Sequence, residues 1–152
     1  MLRVLFVTYV FILVTGCTVV GEVDPAKDIS LTHTGKALLK TDSEYNNKVL
    51  VGFDQRINIT GLDGKSLYRM GLFTDYPTAL IIEPGKHEIE VKFKVTPLYA
   101  FSKLSFFAEK EETYIIRKEM DEGLGVGKPI RFWIENAKTN EIVGQQIVDV
   151  NK

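Results

Sequence analysis

Residues 87–95 alternate strictly: Ile89, Val91, Phe93 and Val95 take every second position, and Glu88, Glu90, Lys92 and Lys94 fall between them. Successive side chains of a strand point to opposite faces, so this pattern predicts one dry face and one wet face, as in an antiparallel sheet. The same period of two recurs at residues 56–60 (Ile57, Ile59), 103–109 (Leu104, Phe106, Ala108) and 130–135 (Ile130, Phe132, Ile134). Residues 49–53 and 78–83 are continuous apolar runs of the buried-strand type. Residues 113–118, with Tyr114, Ile115 and Ile116, and residues 141–150 supply two more strands.

Turn chemistry separates these runs. Asp63-Gly64 is a hairpin signal, because the turn that matches strand twist needs positive φ. Glu83-Pro84-Gly85-Lys86 places Pro second and Gly third in a tight turn. Pro97, the charged stretch 109–112, the glycine-bearing stretch 119–129 and residues 136–140 are further breaks. Residues 28–40 fit either a strand (Ile29, Leu31, His33) or a short helical turn at Ala37-Leu38-Leu39. Residues 41–48 read as a polar loop, and residues 66–75 show no clear period. About eight short strands with close turns and no long helix predict an all-β fold, an antiparallel β-sandwich or partial barrel.

The N-terminus is different. Arg3 precedes an apolar run over residues 5–13, and Val14-Thr15-Gly16-Cys17 follows. A charged start, a short apolar centre and small residues at the end are the parts of a signal peptide. With Val19 and Val20 the apolar stretch reaches about twenty residues, so a spanning helix is the alternative. Val14-Thr15-Gly16-Cys17 resembles the lipobox of bacterial lipoproteins. The resemblance implies removal of residues 1–16 as a lipoprotein signal peptide, diacylation of Cys17 and a bilayer as partner. Residues 17–27, holding Gly21, Glu22, Asp24 and Pro25, then read as lipidated cysteine and tether, and residues 28–152 as one β-rich globular domain. Buried acyl CH₂ groups contribute about 0.8 kcal/mol each, so two or more chains hold a soluble body where one binds only reversibly. Thr18, where an Asp would signal inner-membrane retention, points to the outer membrane facing the periplasm if the source is Gram-negative.

Composition narrows the classes. The formal charge of −1 becomes one unit more negative when Arg3 leaves with the leader, which argues against a nucleic-acid partner. Cys17 is the only cysteine, so disulfides and thiolate metal clusters are excluded and stability rests on apolar packing. A second resemblance rests on Gly61-Leu62-Asp63-Gly64-Lys65, on residues 83–91 (Glu83-Pro84-Gly85-Lys86-His87 and the strand after it), and on Phe106-Phe107-Ala108 with Thr113-Tyr114-Ile115-Ile116. This series resembles bacterial envelope lipoproteins with PEGA-like sandwich domains, with Glu111-Glu112-Thr113 where that pattern has a glycine. It implies a non-catalytic accessory module.

Candidate chemistry is sparse. Gly123-Leu124-Gly125-Val126-Gly127-Lys128 has the glycines of a phosphate loop, but Pro129 and a strand follow where a hydroxyl and a helix are needed. His33 and His87 show no metal-ligand spacing, His87 reading as a solvated side chain at a strand start; neither metal nor cofactor is expected. Asp121 and Glu122 read as surface charge within pairing reach of Arg117 or Lys118. Trp133 falls on the Arg131/Glu135 side of its strand, where an aromatic ring can stack on a sugar or peptide or cover a second apolar layer with Phe107 and Ile115. Tyr76, Tyr99 and Phe101 read as loop aromatics that either pack locally or face a partner. The expected function is a non-enzymatic, lipid-anchored accessory or protein-interaction module. The alternative is a glycan- or peptidoglycan-binding module using the aromatic residues.

Overall fold

Ten strands form among the described residues: β1 (Gly21–Glu22), β2 (Ala37–Thr41), β3 (Arg56–Leu62), β4 (Lys65–Ser66), β5 (Ala79–Ile82), β6 (Gly85–Val95), β7 (Leu98–Ala108), β8 (Thr113–Glu119), β9 (Pro129–Asn136) and β10 (Ile142–Asp149). The structure is a computed structural model that describes residues 21–22, 35–42, 56–67, 76–95, 97–120 and 125–151. Cys17 and the leader, His33, the run at 49–53, most of 66–75, and Asp121 and Glu122 lie outside them.

The strands make two sheets, a six-stranded one ordered β1-β5-β2-β8-β9-β10 and a four-stranded one ordered β4-β3-β6-β7. Their dry faces meet in one core. The larger sheet contributes Ala37, Leu39, Leu80, Ile82, Tyr114, Ile116, Ile130, Phe132 and Ile134; the smaller contributes Ile57, Ile59, Ile89, Val91, Phe93, Leu104 and Phe106. Each fully buried large aliphatic or Phe side chain contributes about 1.5–3 kcal/mol. The fold is therefore all-β and sandwich-like, and the alternation of β6 and β9 places their apolar residues inward as the pattern predicts. Leu38, Ala79 and Ile81 form a small second cluster on the outer side of the larger sheet. Apolar contact on both faces is why β2 and β5 read as unbroken apolar runs.

The two sheets are stitched along their margins, which gives the sandwich a barrel-like closure. On one side β7 meets the chain end: the Tyr99 and Asn151 backbones exchange hydrogen bonds of 3.0 and 2.7 Å, and Ser102 Oγ and the Lys103 amide both donate to Gln146 Oε1. Gly144 makes this approach possible, since a Cβ there would lie 2.6 Å from the Ser105 carbonyl oxygen. On the other side the Ile59 amide donates to the Pro77 carbonyl and the Thr41 amide to the Thr78 carbonyl.

The two turn motifs are clipped together. Asp63 and Gly64 take φ of 51° and 74° between β3 and β4. Asp63 Oδ1 accepts from the Glu88 amide at 2.9 Å, and Asp63 Oδ2 lies 2.8 Å from His87 Nδ1. The other ring nitrogen of His87 lies 2.7 Å from the Glu83 carbonyl oxygen. With an acceptor at each nitrogen, a neutral ring donates to only one of them.

Several expectations change. His87 is buried, not solvated, because it shares the inward parity of Ile89 and finds Asp63 as a partner. Ala37-Leu38-Leu39 is strand, and β2 runs parallel to β8, the one parallel ladder among the strand pairs of the described residues. Gly21 and Glu22, within the stretch read as tether, pair with Ile81 and Leu80 as an edge strand. Finally, β7 starts at Leu98 rather than at Lys103, so Tyr99 and Phe101 are strand residues. Its first half hid from the pattern because the inward positions hold small residues, Ala100 and Ser102, and the outward ones hold the aromatics.

Candidate binding groove

The candidate residues separate onto two outer faces. Trp133, Arg131 and Glu135 lie on β9, on the outer side of the larger sheet beside Arg117 and Glu119 of β8. There they form a closed network. Arg117 Nε donates to Glu135 at 2.6 Å, and Arg117 also pairs with Asp42 at 2.7 Å. The Trp133 indole N–H donates to the other Glu135 oxygen at 3.1 Å. The Arg131 guanidinium lies 5.0 Å from the Trp133 ring centroid and pairs with Glu119.

Desolvation works to raise the Glu135 carboxyl, but hydrogen bonds from Trp133 and Arg117 outweigh it and hold the group below its ordinary value. The Glu135 hydrogen bond likewise raises the Arg117 guanidinium. The polar handle of Trp133 and one region of its ring are thus engaged from within the chain. Phe107 sits on β7 in the other sheet, 62% exposed, and shares no layer with Trp133 and Ile115.

Tyr76, Tyr99 and Phe101 come together on the outer side of the smaller sheet. Its strands carry Thr60 on β3, Glu90 and Lys92 on β6, and Phe101 and Lys103 on β7, with Lys92 opposite Phe101 and Glu90 opposite Lys103. A groove of about 420 Å³ crosses these strands. Tyr76 and Phe101 line it, with Thr60 and Ser66, the charged residues Glu90, Lys92 and Lys103, the buried Ser102, and Gln146 at the seam with β10.

Local sequence explains this shape. Glu90 bends over β3 because Gly61 has no side chain: a Cβ there would lie 2.8 Å from Glu90 Oε2. The folded-over carboxylate then holds Lys103 Nζ at 2.6 Å, with Glu88 at 3.5 Å on the other side. The Glu90 hydrogen bond, with the charges of Glu90 and Glu88, raises the Lys103 ammonium above its ordinary value. Phe101 is 52% exposed, with Tyr99 edge-on to it at 5.5 Å and Lys92 Nζ 5.2 Å from its ring centre. The groove offers a ring face, hydroxyls, an amide and paired charges, a set suited to holding a polar ligand with some apolar surface.

Sequence reasoning singled out Tyr76 and Phe101 but not Thr60, Ser66, Glu90, Lys92, Ser102, Lys103 or Gln146. The lysines and glutamate read as the wet face of a strand, and nothing local marks Gln146 as reaching β7. The Gly-rich loop also resolves in part: Gly127, with φ of 73°, donates its amide to the Val150 carbonyl, and β9 starts at Pro129. Among the described residues no group of three or more His, Cys, Asp or Glu is placed to hold a metal ion, and no helix is long and apolar enough to cross a membrane. Compared with models of known protein families, with curated proteins and with solved structures, the chain matches none.

Proposed function

We propose that this chain is a bacterial envelope lipoprotein, held by acyl chains on Cys17, whose PEGA-like sandwich serves as a non-enzymatic accessory or interaction module. The observation that carries the anchor is the Val14-Thr15-Gly16-Cys17 sequence directly after a short apolar run headed by Arg3. In a Gram-negative source, Thr18 assigns the protein to the outer membrane, facing the periplasm.

Metabolic labelling with palmitate and intact-mass measurement of the purified protein test this. The expected mass lacks residues 1–16 and carries acyl groups at Cys17, and Cys17→Ala loses the label. An unprocessed chain with a bare thiol refutes it.

The groove favours a second reading, a module for glycan such as peptidoglycan. A sugar ring offers a C–H face to Phe101 and hydroxyls to Thr60, Ser66 and Gln146, the complement of what lines the groove. Titrating the detergent-solubilised mature protein with a disaccharide muropeptide should shift the NMR signals of Phe101, Tyr76 and the Gln146 amide. The Trp133 indole, on the other sheet, should stay fixed. Shifts at Trp133 alone, or none at all, remove this reading.

A further inference from the structure

The register of β1 sets which end of the sandwich the N-terminal chain enters. Gly21 pairs with Ile81 and Glu22 with Leu80, antiparallel. Ile81 is next to the last residue of β5, so Gly21 sits at the end of the sheet where β5 runs into the Glu83-Pro84-Gly85-Lys86 turn. The covalent chain limits the distance: Gly21 is four steps along the chain from Cys17, with three residues between them, and an extended chain covers at most about 3.6 Å per step, or about 14 Å in all.

Other turns gather at that same end. Lys36, at the start of β2, pairs with Glu83 at 2.7 Å and accepts a hydrogen bond on its carbonyl from the Glu111 amide. The Asp63-Gly64 turn is held there by His87. The turn between β9 and β10 is held there by the Ala137 amide, which donates to the Thr113 carbonyl. Lys65, Lys86, Lys110 and Lys138 are exposed at this end, and so are Asp63, Glu109, Glu111 and Glu141. The opposite end carries the β6–β7 turn with Pro97 and the stretch around Val126, which is 61% exposed. At about 3.3 Å per residue, the eleven residues of β6 put roughly 35 Å between the two ends.

We propose that the sandwich stands on the bilayer with the Asp63, Glu83, Glu111 and Ala137 turns against the phospholipid headgroups and the Pro97 end pointing away. The proposal rests on acylation of Cys17. A tether of about 14 Å cannot reach around a body more than twice as long, so the far end cannot be the one that rests on the membrane. The groove, crossing β6 at Glu90 and Lys92 midway between the ends, then opens sideways, parallel to the membrane.

The test uses the mature lipidated protein in phosphatidylethanolamine–phosphatidylglycerol vesicles. Acylation occupies the Cys17 thiol, so single added cysteines take a fluorophore: Lys86→Cys, Lys110→Cys and Lys138→Cys at the near end, Pro97→Cys and Val126→Cys at the far end. A headgroup-linked nitroxide should quench the near positions several-fold more than the far ones. A twelve-residue Gly-Ser insertion before Gly21 should erase the difference. Uniform or reversed quenching in protein that floats with the vesicles overturns the orientation and leaves the anchor standing. Failure to float, with no acyl mass on Cys17, overturns both.

Discussion

Gly144→Ala tests the seam between the sheets. The added Cβ would lie 2.6 Å from the Ser105 carbonyl oxygen, 3.4 Å from its carbon and 3.6 Å from Phe106 Cβ. Carbon–oxygen contacts settle at about 3.3 Å or more, so the strands must part by about 0.7 Å. The obstacle is backbone in a strand paired along its length with β6, so no side chain can swing aside. Forcing an extra carbon into a packed site costs about 1–3 kcal/mol.

Parting the strands also strains the bonds from Ser102 Oγ and the Lys103 amide to Gln146, now 2.9 and 3.0 Å, each contributing about 0.5–1.5 kcal/mol. Ala in place of Gly returns about 0.4–1 kcal/mol by restricting the unfolded chain. The net expectation is a loss of about 1–4 kcal/mol, a large part of the 5–15 kcal/mol typical of a domain. Urea unfolding should show a lower midpoint at unchanged slope, and the Tyr99 and Lys103 amides should exchange faster. Gln146→Ala removes the two bonds without the clash and should cost about 1–2 kcal/mol. The double variant should lose less than the sum. A Gly144→Ala protein within 0.5 kcal/mol of the parent, with those amides still protected, would refute this account of the seam.

Three further outcomes follow from the polar contacts. Asp63→Ala strips acceptors from buried His87 and from the Glu88 amide and should cost about 1–3 kcal/mol in chemical unfolding, with Asp63→Asn losing less. Glu135 titrates below its ordinary 4.5 in the folded chain, so it contributes stability above that value and loses it as pH falls through the lower folded value; Glu135→Gln should flatten the acid limb of stability measured from pH 6 to pH 3. Burial pushes the Tyr114 phenol above its ordinary 10.0, so its contribution holds below pH 10 and fades as pH rises through the folded value. Tyr114→Phe also deprives the Glu109 amide of the hydroxyl that accepts it at 3.0 Å; it should cost about 1 kcal/mol at neutral pH and soften the alkaline decline.

The strands that declared themselves in the sequence are those whose inward side chains are large and whose outward ones are charged. β6 meets that description, β9 does so apart from Trp133, and the Asp63-Gly64 turn is equally plain because few residues tolerate its positive φ. β7 did not meet it: Ala100 and Ser102 face in while Tyr99 and Phe101 face out, so periodicity of hydropathy could not find its first half. His87 reads as solvated in the sequence because its burial depends on Asp63, and pairing across strands is not a local property. The groove was the least visible feature. Its lining comes from β3, β4, β6, β7 and β10 and from Tyr76, and only register and the bend permitted by Gly61 bring Glu90, Lys103 and Gln146 to one place.

The Asp63–His87 clip makes a searchable signature. The two residues stand 24 positions apart, one in a D-G hairpin turn and the other directly after P-G-K. Each is worth little without the other: the carboxylate has no ring to hold, or the ring is sealed in with a bare nitrogen. A chain that has drifted too far for overall similarity to be detected would still have to keep both or replace both together. Scanning sequences for that coupled pair, at a spacing set by the length of the chain between them, offers a route to kin that whole-chain comparison overlooks.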